Sequence, residues 1–398
     1  GTDRGPREEV YGSSGACHRS DVAEVLSAQL PVAERVNIAC SGGQTKNVFR
    51  AASGGVGQNG ERPQGDQLLD VAREKDIEMV VMSVGGNDLG FASIVAACLQ
   101  AYVAKTGPCR PSQEAAIKAK LPKATADVIK AIDEVRAVMA EAGYTTTDYR
   151  FVMQTYPSVI PRAAENRYPE ASALRTSNGC PFYDSDSDWA RNDAAPMIGD
   201  MVKTAAAQRG VEIMDLRDLF QGHEFCSTGA AQASALVQPD RANSEWGRFL
   251  TGSTVQQGDL QEAFHPNAYG QQAIGACLTA VWNAVTPGRF LCSGAAGIDV
   301  GAVRTERQQT FATRNLRSAA PRLRVSVRRV RRCSTFTVTS GAGARVGGAL
   351  VRFAGQKVRT SRTGAGRICK TLRRAKYSVR VTKRGFRGVT RTVRGRSR

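Results

Sequence analysis

The stretch Met79-Val80-Val81-Met82-Ser83-Val84-Gly85-Gly86-Asn87-Asp88 decides the fold class of this chain. Its first six residues form an apolar run that does not alternate with polar positions, apart from Ser83. Such a run is typical of a strand buried on both faces of a parallel sheet. The two glycines and Asn87 would then lie at the carboxyl edge of the sheet, where open α/β folds bind ligands.

The rest of residues 1–285 alternates between helix patterns and strand patterns. Apolar residues recur at helical spacing in three segments, and two short apolar runs have the composition of buried strands. The helix patterns cover residues 124–142, 196–208 and 267–284, and the strand patterns cover residues 150–154 and 211–215. Because the two kinds of element alternate, we expect an α/β domain with a parallel sheet covered on both faces.

Residues 321–398 have a different composition from the rest of the chain. They contain 24 Lys and Arg and no acidic residue, so 55 minus 24 leaves 31 basic against 36 acidic residues elsewhere. Apolar residues alternate with basic or polar ones between glycines, which predicts a small antiparallel β-sandwich. Residues 286–320 have little periodicity, and we predict that they form a linker.

The charge of residues 321–398 points to a polyanionic partner, such as an anionic polymer of the cell envelope. Few aromatic residues separate the arginines, so specific nucleic-acid recognition is not expected. A basic surface that contacts only solvent is the alternative.

The ten cysteines indicate the redox compartment in which the protein is found. None of the ten cysteines forms a Cys-x-x-Cys pair, and with only three histidines a zinc site is not favoured. Sequential pairing into five disulfides is the simplest interpretation, and buried free thiols in a cytosolic enzyme are the alternative. We therefore predict a secreted, extracellular or envelope-associated protein. The cysteines are Cys17, Cys40, Cys98, Cys109, Cys180, Cys226, Cys277, Cys292, Cys333 and Cys369.

Three further expectations concern membrane insertion, cofactors and metals, and the oligomeric state. No stretch of 18 apolar residues occurs, so no membrane span is predicted. No sequence pattern calls for a cofactor or a metal ion. We expect a monomer.

Two short motifs carry candidate chemistry. Asn87 follows the apolar strand, and its side-chain amide can donate a hydrogen bond to a developing oxyanion. A tight turn is the alternative, since Gly-Asn-Asp is ordinary turn chemistry. His265 precedes a predicted helix, and Pro266 limits its freedom, as a general base requires. A histidine that only caps or packs against the helix is the alternative.

Taken together, the motifs resemble a known family. Gly85–Asp88 resembles the third conserved block of the SGNH hydrolases, and His265–Gly270 resembles the fifth. Asn37–Thr45 resembles the second block, and Cys17–Ser20 is similar to the actinobacterial secreted esterase and lipase branch. The resemblance covers about residues 10–290 and implies a flavodoxin-like three-layer fold, with a small-molecule or lipid ester as substrate. Residues 346–392 resemble an Ig-like or carboxypeptidase-regulatory-like β-sandwich.

The resemblance also implies roles for four residues. His265 would activate a serine that forms an acyl-enzyme, while the Asn87 amide and the Gly42 N–H would donate to the oxyanion. Three residues before the histidine, where the family carries an acid, this chain has Glu262. Either Glu262 or a backbone carbonyl at that place would orient the imidazole.

The first conserved block, a buried strand ending in Gly-Asp-Ser, has no counterpart. The nearest string is Val10–Gly15, and the polar residues before it cannot form a buried strand. Ser13 and Ser14 are therefore not expected to be nucleophiles, and the nucleophile is predicted upstream of Gly1. The competing hypothesis is an inactive envelope-binding protein that keeps an SGNH-like scaffold.

Overall fold

The computed structural model describes residues 17–233, 236–250, 263–310, 322–330, 332–341, 343–372, 376–383, 386 and 388–394. The chain divides into two compact units. The first comprises Gly1–Val71 and Glu78–Arg314, and the second comprises Ala72–Ile77 and Asn315–Arg398.

The first unit is built around a five-stranded sheet with the order β1-β2-β3-β4-β5. Strands β1 to β4 run parallel to their neighbours, whereas β5 pairs antiparallel with β4. The strands are β1 (Met79–Met82), β2 (Arg150–Gln154), β3 (Glu212–Asp218), β4 (Gly288–Ser293) and β5 (Arg304–Thr310). The parallel α/β sheet predicted from the apolar runs is confirmed, and its fifth strand makes the sheet mixed.

Helices connect and cover these strands. They are α1 (Glu24–Ser27), α2 (Thr45–Val48), α3 (Gln64–Glu74), α4 (Phe91–Val103), α5 (Arg110–Glu141), α6 (Ala173–Ser177), α7 (Asp184–Trp189), α8 (Ala195–Arg209) and α9 (Ala268–Asn283). Short 3-10 segments cover Ala51–Ser53 and Ala163–Glu165, and a π-helical turn covers Ala190–Ala194. Among the described residues, no helix is both long enough and apolar enough to cross a membrane.

Both faces of the sheet are buried at β2. Consecutive side chains of a strand point to opposite faces, and Phe151, Val152 and Met153 of β2 are all buried. Strand β1, predicted to be buried on both faces, is only partly buried over residues 79–81 because it pairs with β2 alone among the described strands. Helix α5 packs against α8, and α9 packs against α1. Helix α8, in the segment with the 196–208 helix pattern, ends at Gly210, which caps it in the left-handed conformation at φ +57°. The helices and the sheet together form the three-layer arrangement expected for this part of the chain.

The segment predicted as a linker is partly sheet. Strands β4 and β5 lie within residues 286–320, and Cys277 of α9 is joined to Cys292 of β4. In β4, Gly288, Phe290 and Cys292 are buried, and the residues between them are only partly buried. The sequence shows no clear alternation at these positions. Strand β4 lies between β3 and β5 but buries alternate residues only, so it lacks the continuous apolar run of a strand that is buried on both faces.

The cysteines pair in sequence order, as predicted. The disulfides are Cys17–Cys40, Cys98–Cys109, Cys180–Cys226, Cys277–Cys292 and Cys333–Cys369. The first four lie in the first unit and close loops beside the sheet, and the fifth joins two strands of the second unit.

The second unit consists of two antiparallel sheets with the orders β10-β7-β6 and β12-β11-β8-β9. Its strands are β6 (Leu323–Val330), β7 (Cys333–Ser340), β8 (Leu350–Phe353), β9 (Gln356–Arg359), β10 (Ala365–Cys369), β11 (Lys376–Thr382) and β12 (Val389–Arg394). Apolar side chains of both sheets form one core that includes Phe336, Phe353 and Val379. The antiparallel all-β architecture expected for residues 321–398 is confirmed, and the closer likeness to Ig-like modules stays a prediction.

A buried carboxyl group in the first unit predicts a pH dependence of stability. Glu224 has no exposed surface, its Oε2 accepts a hydrogen bond from the Gly222 N–H at 2.7 Å, and Arg191 lies 4.0 Å away. Burial raises the pKa of Glu224 from 4.5 to about 7. Between these two values the folded chain holds a proton that the unfolded chain releases. Raising the pH through this window therefore lowers the free energy of unfolding, by up to about 3 kcal/mol.

We expect Glu224→Gln to remove this contribution. Urea unfolding at about pH 4.5, 6 and 8 should give a smaller loss of stability with rising pH in the variant than in the parent chain. Glu74→Gln, at an exposed position, is the control and should keep the parent's pH dependence. An unchanged dependence in Glu224→Gln would rule out Glu224 as its source.

Candidate active site

The loop after β1 is shaped by two glycines and a tyrosine. Gly85 has φ +114°, and a Cβ there would lie 2.7 Å from Met201 and 2.8 Å from Val128, so no larger residue fits. The Gly86 N–H donates to the Tyr156 hydroxyl at 3.0 Å. Burial raises the pKa of Tyr156, so its phenol stays neutral. Because Tyr156 follows β2, this hydrogen bond joins the carboxyl ends of two parallel strands.

Asn87 is locked to the loop that carries Gly42. Its Nδ2 donates to the Gly43 carbonyl at 3.1 Å, and Gln44 Nε2 donates to the Asn87 carbonyl at 3.2 Å. The neighbouring Asp88 accepts from the Thr45 hydroxyl at 2.6 Å and from the Thr45 N–H at 3.1 Å. The structure thus brings the second and third motifs together. An amide group carries two N–H bonds, and the contact with Gly43 uses one of them.

Gly42 presents backbone to solvent beside Asn87. It is exposed and has φ +74°, a conformation that favours glycine. On either side of it the Gly43 N–H donates to the Cys40 carbonyl at 3.1 Å, and Gln58 Nε2 donates to the Ser41 carbonyl at 2.7 Å. Within the described part of the chain, the Gly42 N–H donates to no backbone or side-chain acceptor. It can therefore donate to a ligand.

Arg19 anchors this loop. Its side chain is almost completely buried, its Nε donates to the Ala39 carbonyl at 2.7 Å, and its guanidinium forms an ion pair with Glu61. The disulfide between Cys17 and Cys40 fixes the same two segments to each other. This is the physical role of the Cys17–Ser20 motif, which holds the ends of the Gly42 loop.

His265 lies on a short two-stranded ribbon. The Arg248 N–H donates to the His265 carbonyl at 2.9 Å, the Phe264 N–H donates to the Arg248 carbonyl at 2.8 Å, and Gly247 pairs with Pro266. The imidazole is exposed, and its Nδ1 lies 3.0 Å from the Ala263 carbonyl oxygen. A carbonyl oxygen only accepts, so Nδ1 carries the proton in this contact.

Phe264 turns the histidine outward. Its backbone is left-handed at φ +63°, and its buried ring packs edge-on against Phe182 and Phe225 at centroid distances of 5.7 and 5.2 Å. Asn267 then caps α9, because its side chain accepts from the Tyr269 and Gly270 N–H groups. With Phe264 packed inside and the helix start fixed, the intervening His265 has a defined position.

Asn87 and His265 lie at the same end of the sheet, beside the carboxyl ends of the parallel strands. At the opposite end Arg150, which begins β2, donates to the carbonyls of Val281 and Trp282 at the end of α9. A helix of 16 residues is about 24 Å long at 1.5 Å per residue. Its first turn, beside His265, therefore lies towards the carboxyl ends of the strands, where Asn87 follows β1.

The structure does not describe three of the residues discussed in the sequence analysis. Glu262 lies outside the described residues, as do Ser13 and Ser14. His223 is a core residue: it is fully buried, stacks on Trp246 at 3.9 Å, and contacts the carbonyls of Ser244 and Ala295.

Another grouping, Cys98, Cys109 and Asp186, has the spacing of a metal site. Its sulfurs form a disulfide, and its carboxylate accepts from the N–H groups of Cys109 and Arg110. The two sulfurs are bonded to each other and the carboxylate is bonded to backbone N–H groups, so these three residues have a structural role.

A cavity of about 210 Å³ opens beside the His265 ribbon. Its walls come from both sides of the ribbon and include Gly247, Phe249, Asn267 and Tyr269. The Arg248 side chain, which is 8% exposed, also lines it. The cavity therefore shares its wall with the backbone that holds the histidine.

Three contributors to this site were not found from the sequence. The Ala263 carbonyl carries no sequence signal, since every residue has one. Tyr156 follows a strand by only two positions, and that placement at the carboxyl edge is the signal that could have found it. Gln44 lies within the second motif, but no feature of the sequence singles it out.

Comparison with known proteins shows the family of the chain. Residues 8–273 match the GDSL-like Lipase/Acylhydrolase family, and the chain belongs to that family. Its membership supports a hydrolase of ester substrates.

Among solved structures, the chain is similar to an extracellular lipase from Streptomyces rimosus. The identity is 24%, the match covers 72% of this chain and 95% of the lipase, and the TM-score is 0.43. A search of curated proteins gives no match.

Proposed function

We propose that the first unit hydrolyses carboxylic esters through a serine acyl-enzyme, with His265 as general base and with Asn87 and Gly42 as oxyanion donors. The observation that best supports this proposal is the hydrogen bond from Asn87 Nδ2 to the Gly43 carbonyl, which joins the two loops that carry the proposed donors. The substrate would be a small-molecule or lipid ester.

The tautomer of His265 supports its role. Because Nδ1 is bound to the Ala263 carbonyl, the neutral ring keeps its basic lone pair on Nε2. A base must have its accepting nitrogen directed away from the group that orients it. In this proposal the carbonyl of Ala263 is the orienting group, and it needs no ionised partner.

The chemical steps balance without a further reactant. The serine oxygen attacks the ester carbonyl while Nε2 of His265 takes the hydroxyl proton, and the oxyanion accepts hydrogen bonds from Asn87 and Gly42. When the intermediate collapses, the C–O bond to the alcohol breaks and the imidazolium returns the proton to the leaving oxygen. Water then repeats the sequence on the acyl-enzyme and releases the acid.

The proposal makes a specific prediction for Glu262. If the Ala263 carbonyl orients His265, Glu262→Gln should leave kcat for p-nitrophenyl butyrate within about threefold of the parent, because neither tautomer nor ring position changes. An acid that orients the base contributes about ten-thousand-fold in a serine triad. The assay uses the complete gene product. A loss of more than about a hundredfold would assign the orienting role to Glu262 instead.

We also propose that the protein acts outside the cytoplasm and that residues 321–398 bind an anionic polymer of the cell envelope. Five disulfides support an oxidising compartment. The absence of acidic residues from residues 321–398 supports a polyanionic partner. Binding of this kind would hold the esterase unit close to esters of the envelope.

A further inference from the structure

The four-stranded sheet of the second unit carries a row of cations on its outer face. In register across three strands, Lys357 of β9 lies opposite Arg352 of β8, and Arg352 lies opposite Arg380 of β11. All three residues are exposed. Their strand neighbours Val351 and Val381 point the other way and are fully buried. The alternation therefore places three positive charges side by side on one surface.

A second pair extends this surface. Lys376 of β11 lies opposite Arg394 of β12, and both are exposed. Between the pair and the row lie Ser378 and Thr392, which also face each other and are exposed. Neighbouring strands are about 4.8 Å apart, so the cations of the row follow one another at that interval.

This arrangement costs folding stability. Like charges directly opposite each other on adjacent strands are destabilising, and residues 321–398 contain no acidic side chain to separate them. Without a partner, the sheet would be more stable with a neutral residue between these cations. The row is therefore better explained by a partner that supplies negative charge than by solvation alone.

On the three-stranded sheet the cations of the outer face are spaced differently. On its outer face Arg328 of β6 and Arg367 of β10 both lie opposite Thr335 of β7, which separates them. Both arginines are exposed. The two faces thus share a basic composition but differ in spacing, and only the four-stranded sheet sets cations next to each other.

We propose that the outer face of the four-stranded sheet, defined by Lys357, Arg352, Arg380, Lys376 and Arg394, binds a linear polymer of phosphodiesters that carries no bases. This inference rests on the proposed envelope partner and names the surface and its chemistry. Closely spaced phosphates along one chain complement closely spaced cations across the strands.

Two features of the face favour this polymer over other polyanions. The aromatic rings of this sheet are directed to the core, where Phe353 packs against Phe336 at 5.2 Å, so the face offers no platform on which bases could stack. Among its described residues, no large apolar side chain is exposed, so nothing on the face would insert into a bilayer.

The test compares two double variants of the full chain. Arg352→Gln/Arg380→Gln removes two adjacent cations, and Arg328→Gln/Arg367→Gln removes two separated ones. Binding to purified poly(glycerol phosphate) is titrated at several salt concentrations around 0.15 M. We expect the first variant to bind at least about tenfold more weakly, with a salt slope smaller by about 1.4. The second should stay within about threefold of the parent.

Stability and alternative ligands make the outcomes distinct. Removing adjacent like charges should leave Tm unchanged or raise it, and Arg352→Lys/Arg380→Lys should keep most of the binding. If the parent chain does not bind the polymer, the envelope partner itself is wrong. If both Gln variants weaken binding equally, the partner stands and the assigned face is wrong. Tighter binding to a single-stranded oligonucleotide or to phosphatidylglycerol vesicles, lost in the first variant, would contradict a base-free polymer.

Discussion

His265→Ala should lower kcat for p-nitrophenyl butyrate about a hundred- to ten-thousand-fold in the complete gene product. The variant leaves the serine without an acceptor for its proton and the leaving alcohol without a donor. The ribbon that carries His265 is held by backbone hydrogen bonds and by the ring of Phe264. The fold should therefore survive the change, and Tm should stay close to that of the parent.

His18→Asn is the matched control for this prediction. His18 lies in a loop directly after Cys17, and its φ of +49° is one that asparagine tolerates. We expect activity within about twofold of the parent, since proton transfer is not assigned to this ring. Full activity in His265→Ala, measured over a range of pH, would exclude His265 as the base.

Asn87→Asp should lower kcat about a hundred- to a thousandfold, with a smaller change in KM. The variant has the same shape as the parent but loses both N–H donors, and its carboxylate repels the oxyanion. It also loses the donor to the Gly43 carbonyl, which holds the two motifs together. The effect should therefore appear in the transition state rather than in ground-state binding.

The control for Asn87 is the same substitution at an exposed position. Asn192 lies on the surface and accepts a hydrogen bond from Arg162 Nε at 3.0 Å, which aspartate would retain. Asn192→Asp should leave kcat and KM unchanged. If Asn87→Asp instead raised KM and left kcat unchanged, Asn87 would be assigned to substrate binding.

Much of the fold follows from local sequence patterns. The short apolar run of β2 indicates a buried strand, because its residues from Phe151 onward pack against one layer or the other. The run of β1 also indicates a strand, but Met79, Val80 and Val81 are only partly buried, since among the described strands β1 pairs with β2 alone. Gly210 and Asn267 mark helix ends through backbone geometry and side-chain capping, which are properties of single residues. These signals act over a few residues, so a sequence can display them directly.

The parts that sequence did not predict depend on distant contacts. Strands β4 and β5 lie in the segment predicted as a linker, because β4 buries only alternate residues and β5, the last strand of the sheet, is recognised by its pairing with β4 rather than by its own composition. The sequence left open whether Glu262 or a backbone carbonyl at that position orients His265, and no residue type encodes the contact that Nδ1 makes with the Ala263 carbonyl. The row of cations on the second unit depends on strand register, which pairs Arg352 with both Lys357 and Arg380.

The proposed role of His265 as the base that activates a serine is tested most directly by labelling the complete gene product with a fluorophosphonate, followed by mass spectrometry of the peptides. We expect one labelled serine per chain, neither Ser13 nor Ser14, and labelling at least about a hundredfold slower in His265→Ala. No labelled serine, or a serine labelled equally fast in both proteins, would contradict this role of His265.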